Sequence, residues 1–257
     1  MGWQAMKSEL VRIHHASYKE DIPFWISRTE GLDPILEVGC GHGRVTLPLL
    51  RAGHEIVGVD RDSEAVAYLA GALRQLTERD RQRSILVNSD IHDYQADRKF
   101  GAVIIPCNTY STFAPGERLL LLEKAFSFLV QGGSMIAGFP NPTRMELIQQ
   151  DIRGCDPYDS LDLETDFIHP ETGFPVQVSS RLRADRQSLF WDWFYDHLFP
   201  EGKVERYVVT VEHFPASRDE LWAEIIEAGF SELVSLGGYH GELYTESSPY
   251  LILISKK

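Results

Sequence analysis

The chain has 257 residues, of which 43% are hydrophobic and 25% are charged, and this ordinary globular composition excludes a disordered or fibrous protein. Its 25 basic and 38 acidic residues give a formal net charge of −13, which argues against a nucleic-acid partner because such proteins normally carry a basic surplus. The three cysteines, Cys40, Cys107 and Cys155, form neither a metal-type pair nor an even disulfide framework. No apolar signal region or membrane-length apolar run is present, so we expect a cytoplasmic protein.

Strand-like and helix-like segments alternate over the first 140 residues. Short apolar strands are predicted at 34–38, 55–59, 85–87, 102–105 and 135–139. Helices with apolar residues at the helical period are predicted between them, at 44–51, 63–76 and 119–129. This repeated β-α-β order predicts a doubly wound parallel sheet with helices on both faces, because crossover connections are right-handed.

The pattern changes after about residue 140. Residues 151–173 are polar and are predicted to form a loop, and three stretches of alternating apolar and polar residues then predict an antiparallel insertion of about three strands. A helix around 221–226 and strands at 231–236 and 250–254 complete the chain. The predicted organisation is therefore an α/β core with N-terminal helices (1–142), an antiparallel β insertion (143–214) and C-terminal elements that close the core (215–257).

The strongest signal is a glycine-rich segment, Glu37-Val38-Gly39-Cys40-Gly41-His42-Gly43, between a buried strand and a helix. Glycines at these places permit a tight turn and let backbone N–H groups approach a ligand. The spacing G-x-G-x-G differs from the dinucleotide fingerprint G-x-G-x-x-G, whose sixth place is filled here by Arg44. The segment therefore predicts a ligand-binding turn but disfavours a pyrophosphate on the following helix.

Acidic residues follow the next two strands. Asp60 ends the second strand, where a carboxylate can accept hydrogen bonds from both hydroxyls of a ribose. Asp90 and Ile91 follow the third strand, where Asp90 could accept a hydrogen bond from an exocyclic amine and Ile91 could cover an adenine ring. Because the carboxyl ends of parallel strands meet at one sheet edge, these residues predict a nucleoside site, with Arg61 as a further contact. No metal site is predicted.

These motifs resemble class I S-adenosylmethionine-dependent methyltransferases over about residues 14–140. The similarity lies in the glycine-rich segment as the first cofactor motif, Asp60 as the ribose acid, Asp90-Ile91 as the adenine motif, Cys107-Asn108 after the fourth strand and the turn Gly132-Gly133 before the fifth. The C-terminal pattern Gly229-Phe230, Gly237-Gly238-Tyr239 and Ser248-Pro249-Tyr250 is similar to bacterial small-molecule methyltransferases, among them sugar and antibiotic N-methyltransferases. The resemblance implies an α/β fold: a doubly wound, seven-stranded mixed sheet of the Rossmann-like methyltransferase type with an antiparallel β insertion.

The resemblance also implies roles for individual residues. Glu37 would anchor either the loop or, through ordered water, the ammonium group of S-adenosylmethionine. Arg44 would either meet the carboxylate of the cofactor or be a solvated residue in the first turn of the helix, and Tyr18 would close over the cofactor. The predicted cofactor-binding residues are Tyr18, Glu37, Gly39, Cys40, Gly41, Gly43, Arg44, Asp60, Arg61, Asp90, Ile91 and Cys107. The predicted catalytic residues are Asn108 and Tyr110, near the expected place of the transferable methyl group, and His197, Tyr239 and His240, which are acid/base candidates by residue type.

The predicted function is the transfer of a methyl group from S-adenosylmethionine to an N or O atom of a small molecule. Trp191 and Trp193 of the insertion could line an aromatic substrate cage or simply form a packed strand face. The insertion is predicted to be a substrate cap or a dimer contact, so a homodimer is left open, whereas nucleic acid and membrane are not expected as partners. A protein or RNA substrate, or an S-adenosylmethionine-binding partner without catalysis, are the alternatives.

Overall fold

A computed structural model describes residues 2–152 and 161–257, so Cys155 and part of the first half of the predicted 151–173 loop lie outside the described residues. The chain divides into two units. The larger unit comprises Tyr18–Thr143 and Ala216–Lys257, and the smaller unit comprises Met1–Ser17 and Arg144–Pro215. None of the helices described is long and apolar enough to cross a membrane.

The larger unit contains a seven-stranded sheet with the order β10-β11-β5-β4-β1-β2-β3. Its strands are β1 (Ile35–Val38), β2 (Ile56–Asp60), β3 (Ser84–Asn88), β4 (Phe100–Ile105), β5 (Leu129–Pro140), β10 (Ser231–Leu236) and β11 (Tyr250–Lys256). Strand β11 runs antiparallel to the other six strands. Strand β1 pairs with both β2 and β4, so the strand order reverses there and opens a crevice at the carboxyl ends of the strands. The predicted doubly wound mixed sheet is confirmed.

Helices connect these strands and cover both faces of the sheet. They are α2 (Ile22–Arg28), α3 (Thr46–Ala52), α4 (Ser63–Leu73), α5 (Glu78–Gln82), α6 (Pro115–Phe128) and α8 (Arg218–Glu227), with a 3₁₀ turn at Thr109–Thr112. Helix α7 (Pro142–Ile152) contains the point at which the chain passes from one unit to the other. Local signals set several ends: Gly53, at φ +109°, ends α3, and the Asp62 carboxylate accepts the first N–H groups of α4.

One predicted boundary is corrected by the structure. The Gly132-Gly133 pair was expected to form a turn between helix and strand. Instead α6 ends at Phe128 and the pair lies inside β5, close to the place where the register between β4 and β5 shifts. A glycine inside a strand commonly marks such an irregularity, because the backbone there approaches a neighbour closely; a Cβ on Gly133 would lie 2.9 Å from the carbonyl oxygen of Val130.

The core of the larger unit fixes the ends of the central strands. Strands β1 and β4 are buried along their whole length, as expected for parallel strands that are covered on both faces. Trp25, Leu50 and Leu69, from three different helices, belong to one core cluster with Ile35 and Ile104 of these strands. Burying each such side chain stabilises the fold by roughly 1.5–3 kcal/mol, so the loops at the carboxyl edge begin from rigid positions.

The smaller unit contains a four-stranded antiparallel sheet with the order β6-β7-β8-β9. Its elements are α1 (Trp3–Ala16), β6 (Asp162–Ile168), β7 (Pro175–Ala184), β8 (Leu189–Leu198) and β9 (Val204–His213), with a 3₁₀ turn at Pro200–Gly202. Strand β6 corrects the prediction of about three strands, since its residues fall in the stretch expected to be loop. It is an edge strand and almost entirely exposed, so its sequence carries no buried apolar face by which it could be recognised.

Helix α1 packs against one face of this antiparallel sheet. Leu10 is buried in a cluster with Val176 and Val178 of β7, and the ring of Trp3 lies 4.2 Å from the ring of Tyr207. These contacts explain why the first 17 residues belong to the smaller unit, whereas the sequence pattern had grouped them with the α/β core.

The other face of the antiparallel sheet carries charged pairs between neighbouring strands. Asp192 is buried, and its carboxylate accepts hydrogen bonds from Arg183 at 2.6 Å and from Arg181 and Thr210, each at 2.8 Å. These bonds, that from Arg183 above all, hold the pKa of Asp192 well below its usual range. Since neighbouring strands satisfy this carboxylate completely, we assign it to the stability of the sheet.

Candidate active site

The loop between β1 and α3 is bound to the end of β2. The backbone N–H groups of Gly39 and Cys40 both donate to the carbonyl oxygen of Val59, at 2.8 and 3.3 Å. The Cys40 side chain is buried in the core, so this residue offers only its backbone to a ligand. The loop therefore has a fixed path at the crevice between β1 and β4.

Three glycines make this path possible. Gly39, Gly41 and Gly43 have φ angles of +74°, +50° and +86°, which side chains with a Cβ rarely adopt. A Cβ on Gly39 would lie 2.7 Å from Cγ2 of Thr109, and one on Gly43 would lie 2.3 Å from Cδ1 of Leu69. Packing thus requires glycine at positions 39 and 43. A Cβ on Gly41, in contrast, would have as its nearest described neighbour Oδ2 of Asp60, 3.9 Å away. That position leaves room for a ligand to approach the backbone.

Asp60 lies beside this open position, at the end of β2. Its Oδ2 accepts a hydrogen bond from the N–H of Gly41 at 2.7 Å, and its Oδ1 accepts one from the N–H of Asp62 at 2.8 Å. Burial raises the pKa of Asp60, although both N–H donors act in the opposite direction. The carboxylate is therefore fixed in orientation, and each oxygen keeps the capacity to accept another hydrogen bond. Two adjacent hydroxyls, as on a ribose, suit this arrangement.

Glu37 lies beneath the loop and is only 2% exposed. Its Oε2 accepts a hydrogen bond from the hydroxyl of Thr46 at 2.6 Å. Burial raises the pKa of Glu37 to about 8, with Thr46 and Arg44 opposing the shift, so the carboxyl keeps its proton at neutral pH. A cation placed nearby would favour the charged form, which is the chemistry that the predicted contact with an ammonium group requires.

Arg44 follows the loop and forms an ion pair with Asp21. Its Nη1 and Nη2 donate to the two carboxylate oxygens of Asp21, each at 2.6 Å, and Nη1 also donates to the carbonyl oxygen of Tyr18 at 3.0 Å. Asp21 is fully buried and also accepts a hydrogen bond from Nε1 of Trp25 at 2.9 Å. Arg44 thus meets a carboxylate of the protein itself, and its predicted contact with the cofactor carboxylate stays a prediction.

Asp21 is a site residue that the sequence did not reveal. It stands directly before α2, in the sequence Asp21-Ile22-Pro23, which is typical of a helix N-cap followed by proline in the first turn. In the structure its side chain does not cap α2. Its partner, Arg44, is 23 positions away, and no local pattern joins two residues at that distance.

Three tyrosines cluster near Arg44. The hydroxyl of Tyr18 donates to that of Tyr250 at 3.2 Å, and the ring centroids of Tyr239 and Tyr250 lie 5.1 Å apart. The Arg44 guanidinium lies 5.2 Å from the ring centroid of Tyr18. Burial raises the pKa of Tyr18 and of Tyr239 far above the usual phenol range, so both hydroxyls stay protonated and serve as hydrogen-bond donors rather than bases.

Tyr250 was not among the predicted site residues, although the Ser248-Pro249-Tyr250 pattern drew attention to its segment. It begins β11 opposite Pro140, the last residue of β5. Because β11 is antiparallel to β5, its first residue lies at the sheet edge where the parallel strands end. This direction, which the sequence pattern left open, brings Tyr250 to the site.

The loop after β4 is strained at two successive residues. Cys107 and Asn108 both have φ of +59°, in the left-handed region that residues other than glycine rarely occupy. Such conformations cost about 1–3 kcal/mol each and concentrate at functional sites. The Cys107 sulfur lies 2.6 Å from Nη2 of Arg44, so this loop joins the group formed by Arg44, Tyr18 and Asp21.

The loop after β3 presents Asp90 at the same sheet edge. Oδ1 of Asp90 accepts a hydrogen bond from the N–H of His92 at 2.9 Å, while Ile91 is buried. The ammonium group of Lys124, on α6, donates to the carbonyl oxygens of Ile91 and His92. Asn88 ties this loop to β2, since its amide donates to the carbonyl oxygen of Asp60 at 3.0 Å.

The structure separates the predicted site residues into groups. Those at the carboxyl edge of the larger sheet are Tyr18, Glu37, Gly39, Cys40, Gly41, Gly43, Arg44, Asp60, Asp90, Ile91, Cys107, Asn108 and Tyr239. Arg61 is exposed next to Asp60, and His240 is exposed with its N–H donating to Glu242 at 3.1 Å. Tyr110 is fully buried, its ring centroid 6.0 Å from that of Phe139, so the catalytic role predicted for it is disfavoured by its place in the core.

His197 lies in the smaller unit, on β8. It is fully buried, its ring stacks on that of His169 at 5.0 Å, and its Nε2 lies 2.9 Å from the hydroxyl of Thr172. Burial, together with His169, lowers the pKa of His197, so the imidazole is neutral at neutral pH. These contacts favour a structural role, and the catalytic role of His197 stays a prediction.

One family model matches part of the chain. Residues 35–133 match the family model of a methyltransferase domain. This segment runs from the start of β1 into β5, and it contains the glycine loop, Asp60 and Asp90. No curated protein matches the chain in sequence.

Solved structures extend the similarity to almost the whole chain. The CcbJ methyltransferase from Streptomyces caelestis is 19% identical, with a TM-score of 0.72, and the match covers 94% of this chain and 91% of that one. The sugar N-methyltransferase KedS8 from a Streptoalloteichus species is 16% identical, with a TM-score of 0.70, and the match covers 96% of this chain and 91% of that one. CalS10, an amino pentose methyltransferase from Micromonospora echinaspora, is 14% identical, with a TM-score of 0.69, and the match covers 100% of this chain and 98% of that one.

The family match and the fold agree on one class of protein. Residues 35–133 match a methyltransferase domain, and the architecture of the chain is the fold of class I S-adenosylmethionine-dependent methyltransferases. The predictions of that class and of its Rossmann-like sheet with an antiparallel insertion are confirmed.

Proposed function

We propose that the protein transfers a methyl group from S-adenosylmethionine to the nitrogen of a small-molecule amine. The observation that carries the proposal is the Asp60 carboxylate, fixed by the N–H of Gly41 beside the glycine loop. The cofactor is further supported by the solved structures of CalS10 with bound S-adenosylmethionine and of the glycopeptide N-methyltransferase MtfA with S-adenosylhomocysteine.

The residues at the sheet edge fit this cofactor. Asp60 has a free acceptor position on each oxygen for the two ribose hydroxyls, and the open backbone at Gly41 allows close approach. Asp90 uses Oδ1 for the N–H of His92, which leaves Oδ2 for the exocyclic amine of adenine. Glu37, with its raised pKa, would ionise when an ammonium group approaches.

The choice of nitrogen as the acceptor atom follows from the tyrosine cluster. When bound, S-adenosylmethionine supplies an electrophilic methyl group on a positively charged sulfur. Burial raises the pKa of Tyr18 and Tyr239, so neither would deprotonate a hydroxyl. The Tyr18 hydroxyl donates its one proton to Tyr250, which leaves the Tyr239 hydroxyl to orient an acceptor by donating a hydrogen bond. A neutral amine needs no base before it attacks, and holding it at short distance and in the right direction accounts for much of the acceleration. KedS8 and MtfA are both N-methyltransferases by name.

We propose that the antiparallel insertion takes part in the recognition of the acceptor. In the smaller unit, Trp191 and Trp193 are half-buried and their rings stack at 4.9 Å, while Trp193 also packs against His14 of α1 at 4.9 Å. The exposed part of this pair would offer an aromatic surface to an amine cation. A role of the insertion as substrate cap or dimer contact, and a cytoplasmic location, belong to the same proposal.

Titration calorimetry with S-adenosylmethionine tests the cofactor site. We expect micromolar binding by the wild type and a loss of at least about a hundredfold in Asp60→Ala, which removes an ionised acceptor from two hydroxyls. Asp62→Ala is the matched control, because this neighbouring carboxylate caps α4 instead; its affinity should be unchanged while its stability falls by about 1 kcal/mol. Absence of binding by the wild type would refute the proposed function.

Turnover with a panel of acceptors tests the reaction. Amino sugars and their hydroxyl analogues are offered in parallel, and S-adenosylhomocysteine and the methylated product are quantified by mass spectrometry. We expect methylation of amines alone. Methylation of hydroxyl analogues at equal rates, or of tRNA, would contradict the amine assignment.

A further inference from the structure

Lys124 is tied to the loop that carries Asp90, although the two residues lie on different elements. It is a half-buried residue of α6, and its ammonium group donates to the carbonyl oxygen of Ile91 at 3.1 Å and to that of His92. The same ammonium lies 6.0 Å from the ring centroid of Phe128. Hydrogen bonds from a charged donor are stronger than neutral ones, so this side chain anchors two successive peptide groups.

The anchored peptide groups determine the orientation of Asp90. His92 is held on both sides, since its N–H donates to Oδ1 of Asp90 at 2.9 Å while its carbonyl oxygen accepts from Lys124. The carbonyl oxygen of Asp90 in turn accepts the N–H groups of Asp93 and Tyr94, at 3.1 and 3.0 Å. With its backbone and Oδ1 fixed in this way, Asp90 has one carboxylate oxygen that can turn outward, Oδ2.

We propose that Lys124 is a positioning residue for nucleoside recognition: it holds the Ile91–His92 peptides so that Asp90 presents Oδ2 to the exocyclic amine of adenine. The proposal rests on the proposed function, because it assumes an adenine ligand at Asp90. Lys124 makes no contact with the ligand in this scheme and acts only through the loop. The alternative is a purely structural tether between α6 and the loop after β3.

The test measures nucleoside selectivity, which a purely structural tether would leave unchanged. Calorimetry compares S-adenosylhomocysteine with S-inosylhomocysteine, in which an oxygen replaces the exocyclic amine. For the wild type we expect a preference of about tenfold for the adenine compound. Lys124→Met should lose most of this preference, mainly by weaker binding of S-adenosylhomocysteine, while Lys124→Arg should restore it, since a guanidinium can also donate to both carbonyl oxygens.

The control is Lys99→Met. Lys99 is exposed and donates to a backbone carbonyl oxygen of the same helix region, that of Ser127, at 2.6 Å, so its loss should not change the affinity for either compound. Thermal unfolding of each variant is recorded in parallel.

Failure of the proposal and failure of the proposed function are distinguishable. If the wild type binds neither compound, the proposed function is wrong. If the wild type binds both compounds without preference, or if Lys124→Met keeps the wild-type preference, the positioning role is overturned. If Lys124→Met bound both compounds more weakly by the same factor and unfolded at a lower temperature, the positioning role would also be overturned. Lys124 would then be only a structural tether.

Discussion

Glu37 and Asp60 of the larger unit and Asp192 of the smaller unit are carboxylates held in opposite ways. In the larger unit, Glu37 and Asp60 accept hydrogen bonds from a hydroxyl and from backbone N–H groups, and burial raises the pKa of both. In the smaller unit, Asp192 is bonded to two arginines, and its pKa is lowered. A carboxylate that is bonded only to neutral donors can still bind a cation or hydroxyl groups, whereas the pairing of Asp192 with two arginines stabilises the sheet. Asp21, which is paired with Arg44, shows that a carboxylate near the glycine loop can also have an arginine partner.

The largest expected effect is that of Asp192→Ala on the smaller unit. Removing this carboxylate leaves Arg181 and Arg183 without their shared partner, and breaking a buried ion pair in this way costs about 3 kcal/mol. Hydrogen exchange should show faster opening of β7, β8 and β9, with little change in β1 and β2. The control is the affinity for S-adenosylmethionine, which should be unchanged. A loss of binding would contradict the assignment of the Asp192 carboxylate to the stability of the sheet alone.

Gly39→Ala should weaken cofactor binding by about a hundredfold, because a Cβ in a left-handed conformation costs about 1–2 kcal/mol and this one would also clash with Thr109. Calorimetry measures the effect. Gly173→Ala is the control in the smaller unit: its φ is +71°, close to the +74° of Gly39, but no described atom lies within 4 Å of the added Cβ. It should lower stability by about 1 kcal/mol and leave the affinity unchanged.

Glu37 should make stability decrease as the pH rises. Its pKa is about 8 in the folded chain against 4.5 as the reference value, so between these values the folded state binds more protons than the unfolded state. Glu37 therefore lowers the free energy of unfolding by about 2 kcal/mol as the pH rises from 5 to 7. Urea unfolding of the wild type and Glu37→Gln at these pH values measures this change. If the stability of both proteins changed with pH in the same way, Glu37 would be ionised in the folded protein.

Asp192, with its lowered pKa, has the opposite effect: its stabilisation of the fold is lost as the pH falls below about 4.

Arg206→Gln should have the smallest effect. Arg206 pairs with Asp196 at 2.7 Å, but its side chain is 52% exposed, and exposed ion pairs contribute under about 1 kcal/mol. Urea unfolding in low and high salt should give nearly the same small difference. A loss as large as that of Asp192→Ala would show that the exposure of the Arg206 side chain does not weaken its ion pair with Asp196.

The features that could be predicted from sequence are those encoded by neighbouring residues. The glycine loop and Asp60 each follow an apolar strand directly, and a buried parallel strand has a distinctive apolar run. Strand β6 was missed because an exposed edge strand has no such run. Asp21 and Lys124 were missed for another reason: their partners are 23 and 32 or 33 positions away, and contacts over such distances arise only when the sheet brings the loops together.

The packing of α1 in the smaller unit has a consequence for the order in which the protein folds during synthesis. Leu10 packs with Val176 and Val178, so the partners of α1 leave the ribosome more than 160 residues after it. At a rate of about 5–20 residues per second, this apolar helix face stays without its native cover for roughly ten seconds or more. The Leu10 side chain is therefore exposed to solvent in the nascent chain and buried in the folded protein.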